Sequence, residues 1–189
     1  MEFDKLVRVR KSVRSFSKKK ASWKQVLEAI DAAVQGPFAG NNNNLRFLIV
    51  EDKKIIFELA GTCEQDWIAE SEILVVVCSD DEHLETIYGE RGRVYSRQQA
   101  GAAIQTIMLS LAEVGLGSCW VGAYDDDEVR DKLEIPGNIQ IEAIIPIGYE
   151  SVKERKKPKR KLESVLNWEK WGQGRRPTLF EEGKADQKG

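Results

Sequence analysis

The chain has 189 residues, 41% of them hydrophobic and 32% charged, which is typical of a globular protein with one self-sufficient core and a highly charged surface. The formal net charge of −2 does not by itself predict nucleic-acid binding, and three cysteines without close spacing argue against a disulfide framework. The N-terminus lacks a signal-peptide pattern, and the longest apolar run, Ile73–Cys78, is too short to span a bilayer. We therefore expect a cytoplasmic protein.

Two helices are predicted in the N-terminal part. Residues 2–11 carry apolar side chains at helical spacing, and a basic turn follows them. Ser22 and Gln25 form a capping-box pattern, behind which apolar residues recur at i, i+3, i+4 and i+7. This second helix is predicted to end before Gly36 and Pro37.

The middle of the chain alternates between strands and helices. Residues 47–50 and 73–78 are predicted to be short buried strands, with a helix over residues 53–60 between them. Residues 79–96 contain charges and two glycines without a clean period, and we interpret them as a mobile excursion over a site. The longest helix is predicted from Ser96 to Val114. Its small residues allow close backbone approach, either inside the core or against a second subunit.

The predicted elements end with a strand over residues 118–121, a helix capped by Asp125 or Asp126 that runs through Leu133, and a strand over residues 140–148. This alternation predicts an α/β or α+β fold around a mixed sheet. The tail that follows is basic, then amphipathic, then polar.

Several chemistries lack their usual residues. The single histidine, His83, is expected to be a solvated surface residue, so sites built on several His or Cys ligands and Ser-His-Asp triads are disfavoured. No Walker A sequence is present. Gly115–Trp120 begins like a dinucleotide fingerprint, but it follows a helix and lacks the third glycine. If the protein is an enzyme, a bound cofactor should carry its reaction.

Three segments have the chemistry of a site for an anion and an aromatic ring. Residues 10–14 combine three cations and a hydroxyl, which suits a phosphate, and the two arginines share a face if the segment is helical; a solvated basic helix end is the alternative. Residues 40–44 offer amide donors and acceptors, as the pyrimidine edge of a flavin requires, or form a tight turn. Residues 115–122 expose main chain beside an aromatic residue, or cap a helix before a buried strand.

Taken together, these segments resemble motifs of the nitroreductase family of FMN enzymes over residues 5–166. The matching segments, in chain order, are Arg10–Phe16, Pro37–Phe47, Gly115–Gly122, Ile144–Tyr149 and Arg160–Val165. The third follows the family pattern Gly-Leu-Gly-x-x-Trp-x-Gly. The second departs from its pattern, since Asn43-Asn44-Leu45 replaces Gln-Pro-Trp, and the fifth lacks a proline.

The resemblance implies an α+β fold with a nitroreductase-like mixed central sheet flanked by helices. It also implies a homodimer with an exchanged C-terminal tail, in which each FMN lies at the interface and contacts both chains. Residues 1–166 would form the FMN-binding domain, and residues 167–189 a C-terminal extension. NADH or NADPH would be the reductant. No metal, nucleic acid or membrane is expected as a partner.

The resemblance also assigns cofactor-binding residues. The phosphate and ribityl chain would be held by Arg10, Ser12 and Arg14, with Lys11 nearby and Arg160 and Lys161 added from the tail. Asn41 and Asn43 would face the pyrimidine end of the flavin. The main chain at Val121 and Gly122 would approach flavin N5. No side chain is expected to be catalytic, because the flavin carries the chemistry.

The expected function is FMN-dependent transfer of hydride from NAD(P)H to nitroaromatic, quinone or similar small electron acceptors by a ping-pong mechanism. Three alternatives remain. One is a flavin-binding carrier or sensor without turnover, and another is a family variant that performs dehalogenation or flavin fragmentation. The third is a nucleic-acid binder that uses Lys153–Lys161, where seven of nine residues are basic but no aromatic residues are interleaved.

Overall fold

The computed structural model of the protein describes residues 1–152 and 158–176. The chain divides into two units, Met1–Glu154 and Arg155–Gly189. All of the α-helices and strands described below lie in the first unit. The predicted domain division after residue 166 stays a prediction. No helix in the described ranges is long and apolar enough to cross a bilayer.

In the described part of the chain, four strands form the central sheet in the order β1-β2-β4-β3, and each neighbouring pair is antiparallel. They are β1 Leu45–Val50, β2 Ile73–Asp80, β3 Gly117–Ser118 and β4 Ile139–Gly148. A parallel bridge joins Ser12 to Ser118 at the β3 edge. Because both faces of β2 are covered, its sequence is a continuous apolar run instead of an alternating one. The predicted α+β class is confirmed, and the exchanged tail stays a prediction.

Helices cover the two faces of the sheet in separate layers. They are α1 Phe3–Val9, α2 Trp23–Val34, α3 Lys53–Thr62, α4 Glu82–Tyr88, α5 Arg91–Glu113 and α6 Asp126–Leu133. One apolar cluster joins α2 and α5 to the side of β2 that carries Val75 and Val77. The other joins α3 and α6 to the side that carries Leu74 and Val76. The alternation of side chains along β2 therefore builds both cores.

Side-chain caps fix the starts of the predicted helices. Ser22 Oγ accepts the N–H of Lys24 at 3.3 Å where α2 begins. Asp125 Oδ1 accepts the N–H of Glu128 at 2.9 Å where α6 begins, which decides between the two aspartates that the sequence offered as caps. Each such cap typically stabilises a helix by about 1 kcal/mol.

The prediction that residues 79–96 form an irregular mobile excursion is wrong. This stretch completes β2, forms α4 and begins α5, with a turn at Gly89, whose φ is 58°. Tertiary packing outweighs the weak local pattern, because Leu84 is fully buried and the rings of Tyr88 and Tyr95 meet edge to face at 5.2 Å. The result is a helical hairpin of α4 and α5.

Candidate functional site

The basic segment Arg10–Phe16 is an extended strip and does not continue α1. The helix ends at Val9, and the strip then runs beside β3, where the N–H of Val13 donates to the carbonyl oxygen of Ser118 at 3.0 Å. The segment is not helical, so the condition under which its two arginines would share a helical face is not met. The strip adds its backbone to the edge of the sheet instead.

Two buried side chains hold this strip in place. Val13 lies against Gly117, where an added Cβ would come within 2.8 Å of it, and Phe16 lies against Gly148, where an added Cβ would come within 3.0 Å. Real Cβ atoms essentially never come as close as 2.8 Å, and a contact of 3.0 Å is tighter than nine in ten real Cβ contacts. Gly117, in the third motif (Gly115–Gly122), and Gly148, in the fourth (Ile144–Tyr149), thus leave the space that the side chains of the first motif (Arg10–Phe16) occupy.

Arg10, Ser12 and Arg14 are brought to one place. Alternate residues of an extended segment lie on the same side, and all three act on the buried thiol of Cys119. Burial raises the pKa of that thiol, whereas Arg14, a hydrogen bond with Ser12, and Arg10 partly offset the rise. Arg14 is exposed, and the other two are half-buried. Two guanidinium groups and a hydroxyl on one side of the strip have the chemistry to bind a phosphate.

Lys11, unlike the two arginines, forms an ion pair with Glu150. Its Nζ lies 2.6 Å from Oε1 of Glu150, and each of the two side chains is 21% exposed. A pocket of about 170 Å³ beside the strip is lined by these two residues together with Arg10, Gly117 and Ser118. Because Glu150 neutralises the ammonium group, Lys11 adds less positive charge to this surface than the arginines do.

The asparagine-rich loop, residues 39–44, is a tight turn that presents two side chains to solvent. Gly40 and Asn41 both have left-handed backbones, with φ of 56° and 59°, which confirms the turn interpretation. Asn41 and Asn43 are exposed, and Asn43 Oδ1 accepts the N–H of Leu45 at 3.0 Å. Asn44 is buried and donates to the carbonyl oxygen of Asp80 at 2.9 Å. The two asparagines assigned to the cofactor are thus accessible.

The third motif, Gly115–Gly122, does not contain the continuous strand predicted over residues 118–121. β3 is only two residues long, and Val121 forms a separate bridge to β4, donating its N–H to Ile144 at 2.9 Å and accepting from Ile144 at 3.0 Å. The sheet therefore already uses the main chain of Val121. Gly122 is exposed and is the better main-chain candidate for contact with a ligand.

The structure joins the first and third motifs but not the second. Within residues 1–152, no hydrogen bond or ion pair connects the loop over residues 39–44 to the strip or to the segment 115–122. The loop is attached to the α4–α5 hairpin instead, for example through His83 Nε2 and Asn42 Oδ1, which lie 3.2 Å apart. His83 itself is exposed, as predicted.

Arg160 and Lys161 belong to the second unit and are exposed there. Their assignment to the phosphate site stays a prediction. Residues 153–157 of the predicted basic run and residues 177–189 of the predicted extension lie outside the described residues.

Sequence reasoning missed two residues that act on these segments. Glu150 pairs with Lys11 from a position 139 residues away, and nothing in the local sequence indicates this contact. Gln99 is buried on α5 beneath the asparagine-rich loop. Its position was detectable, because it lies within the apolar stripe of the helix next to Ala100 and Ala103, where a polar residue needs a hydrogen-bond partner.

The chain is similar to known proteins in sequence and in fold. The chain is 27% identical over 173 residues to an iodotyrosine deiodinase of Thermotoga neapolitana, covering 83% of this chain and 93% of that one. It is 26% identical over 176 residues to an FMN reductase [NAD(P)H] of Bacillus subtilis, covering 84% and 70%. The crystal structure of a nitroreductase family protein from Clostridium novyi NT superimposes with a TM-score of 0.73 at 24% identity, covering 92% and 96%.

The family assignment follows from a direct match. Residues 7–83 and 57–149 match the Nitroreductase family, and together these ranges contain the strip, the asparagine-rich loop, the third motif and all four strands. The chain belongs to the nitroreductase family of oxidoreductases.

Proposed function

We propose that this protein is an FMN-dependent oxidoreductase that works as a homodimer. When bound, FMN would accept hydride from NADH or NADPH and pass it to a nitroaromatic, a quinone or a similar small acceptor in a ping-pong sequence. The observation that carries the proposal is the position of Arg10, Ser12 and Arg14 on one side of the extended strip, which pairs with β3 through the Val13–Ser118 hydrogen bond. The names of two relatives, an FMN reductase [NAD(P)H] and a deiodinase, support it.

The residues present fit a cofactor with a terminal phosphate. Arg10 and Arg14 would donate charge-assisted hydrogen bonds to the phosphate, and Ser12 would add a neutral one. Arg160 and Lys161 would supply further charge from the tail. Lys11, held by Glu150, would contribute chiefly to the local field.

The ring would be held by groups that are neutral. Asn41 and Asn43 would donate amide N–H groups toward the pyrimidine edge of the flavin. Negative charge develops at this edge when the flavin is reduced, and fixed donors stabilise that charge. The exposed main chain of Gly122, and beside it that of Val121, would lie nearest the reactive edge. No side chain is needed as an acid or base, which agrees with a single, exposed histidine.

Within residues 1–152, no hydrogen bond or ion pair joins the loop over residues 39–44 to the strip. A site shared between two chains would bring both to the same cofactor, so this separation supports the proposed homodimer. Reductive dehalogenation is a second candidate activity, since the deiodinase relative matches 83% of this chain.

The purified protein should be yellow and should release FMN, not FAD, on denaturation. Anaerobic NADH or NADPH should bleach the flavin, and a nitroaromatic or a quinone should restore its colour. Parallel double-reciprocal plots would support the ping-pong sequence. If neither NADH nor NADPH bleaches the flavin, the result would favour a flavin-binding carrier or sensor without turnover. Halide release from an iodinated phenol, without reduction of the nitroaromatic or the quinone, would favour dehalogenation. A colourless protein that binds no added FMN would overturn the proposal.

A further inference from the structure

The side chain of Gln99 forms hydrogen bonds with both ends and the middle of the asparagine-rich loop, residues 39–44. Its Oε1 accepts the N–H of Ala39 at 2.7 Å. Its Nε2 donates to Oδ1 of Asn44 at 2.9 Å and to the carbonyl oxygen of Asn42 at 3.3 Å. A single amide on α5 thus joins three points of the loop.

The contacts of Gln99 belong to a buried hydrogen-bonded network. Asn44 Nδ2 donates to Ser96 Oγ at 2.7 Å and to the carbonyl oxygen of Asp80 at 2.9 Å. Arg97 reaches the same serine at 3.4 Å. Gln99 is 5% exposed, and Ser96 is fully buried. Hydrogen bonds in such dry surroundings hold geometry firmly, and breaking one leaves a costly unpaired group.

The network holds a tight turn. Gly40 and Asn41 adopt left-handed conformations in succession, which glycine adopts freely and asparagine tolerates. Asn41 and Asn43 face solvent while Ala39, Asn42 and Asn44 are tied to Gln99. The network therefore determines where the two exposed amides lie without contacting a ligand itself.

We propose that Gln99 is a positioning residue that orients Asn41 and Asn43 toward the flavin. This inference rests on the proposed FMN-dependent function. Removing the Gln99 amide releases the loop, so the donors at the pyrimidine edge lose their alignment. The bound flavin is then held more weakly, and the negative charge of its reduced form is less stabilised.

Two variants test the proposal. Gln99→Leu removes all three hydrogen bonds at similar volume, and Gln99→Glu keeps the acceptor for Ala39 but loses the donors to Asn42 and Asn44. The matched control is Gln98→Leu, at an exposed glutamine on the same helix. For each protein, we would measure the thermal stability of the apo-protein, the dissociation constant for FMN, and the absorption spectrum and midpoint potential of the bound flavin.

We expect both Gln99 variants to bind FMN at least about 10-fold more weakly than wild type, a loss that one misplaced hydrogen bond can cause. Their bound flavin should show an altered spectrum and a more negative midpoint potential, and Gln98→Leu should match wild type. If Gln99→Leu does not fold, the dissociation constant, spectrum and midpoint potential of Gln99→Glu test the proposal. Lower thermal stability with an unchanged dissociation constant, spectrum and potential would overturn the positioning role alone. A wild-type protein that binds no FMN would overturn the proposed function, and this inference with it.

Discussion

The side chain of Val13 occupies the space that a side chain at Gly117 would need, because an added Cβ would lie 2.8 Å from Val13 Cγ2 and 3.0 Å from its Cβ and Cγ1. This contact holds the basic strip on the sheet edge next to β3. Val13 also donates its N–H to Ser118, the neighbour of Gly117. The third motif therefore positions the first through packing as well as through hydrogen bonding.

Replacing Gly117 with alanine should displace the basic strip. The new methyl group would overlap Val13, and overpacking of this kind costs about 1–3 kcal/mol. We expect Gly117→Ala to lower the free energy of unfolding by that amount and also to weaken FMN binding, because Arg14 moves with the strip. Urea unfolding and flavin titration measure the two effects. Gly137→Ala is the control, since nothing lies within 4 Å of its added Cβ, and equal FMN affinity in the two variants would contradict the proposed coupling.

Replacing Arg14 with alanine should weaken FMN binding much more than it weakens the fold. Arg14 is exposed, so the free energy of unfolding should change by only about 0.5 kcal/mol. Losing one charge-assisted hydrogen bond to the phosphate should cost about 1.5–3 kcal/mol, or roughly 10- to 150-fold in affinity. Flavin titration of the apo-protein measures the change.

Arg175→Ala is the matched control for that experiment. Arg175 is an exposed arginine of the second unit, outside the segments that resemble the family motifs. We expect it to leave the dissociation constant for FMN unchanged. Equal dissociation constants for wild type and Arg14→Ala would remove Arg14 from the site.

The fold was predictable where local signals and tertiary packing agree. α2 and α6 have capping residues and apolar spacing, and β2 is an unbroken apolar run, so each lies close to its predicted position. α4 was missed because its sequence is mostly polar and its stability depends on Leu84, buried against α5. A short helix held by one buried side chain leaves little periodic signal.

The candidate site was predictable as a set of segments but not as a geometry. The basic strip and the third motif could be identified by residue type, yet their contact depends on Val13 and Gly117, which are 104 positions apart. The ion pair of Lys11 with Glu150 is equally non-local. A buried polar residue such as Gln99 has a detectable pattern, but its partners do not.

The protein should be an obligate homodimer. The structure places Ala100 and Ala103 of α5 in the core of a single chain, so these small residues do not supply the interface. Apolar side chains elsewhere are exposed instead, among them Phe3 at 69% and Trp23 at 48%, and exposed apolar surface of this kind marks interaction sites. Light scattering of the holo-protein should give twice the chain mass at micromolar concentration. A stable holo-monomer would contradict the dimer.

The pair of Asp81 and Arg97 should make stability depend on pH in the acid range. Arg97 Nη2 lies 2.8 Å from Asp81 Oδ2, and Nη1 donates to Oδ1 at 3.1 Å. Burial opposes ionisation of Asp81, but the hydrogen bonds from Arg97 and Ser96 outweigh it and hold the pKa of this carboxyl below its ordinary value of 3.8. The folded state therefore binds a proton less readily than the unfolded state. The stability from this pair is present above the unfolded pKa and is lost as pH falls through the folded pKa.

Asp81→Asn should remove this contribution. Near neutral pH, the free energy of unfolding of the variant should be lower than that of wild type by about 1–3 kcal/mol. We expect the lower end of this range, because the side chain of Arg97 is 42% exposed and solvent screens the pair. As pH falls below about 4, wild type should lose stability faster than the variant, so that the two curves converge. Urea unfolding at a series of pH values measures this, with Asp131→Asn on the exposed side of α6 as the control. If the wild-type and Asp81→Asn curves run parallel through the acid range, Asp81 does not carry the pH dependence.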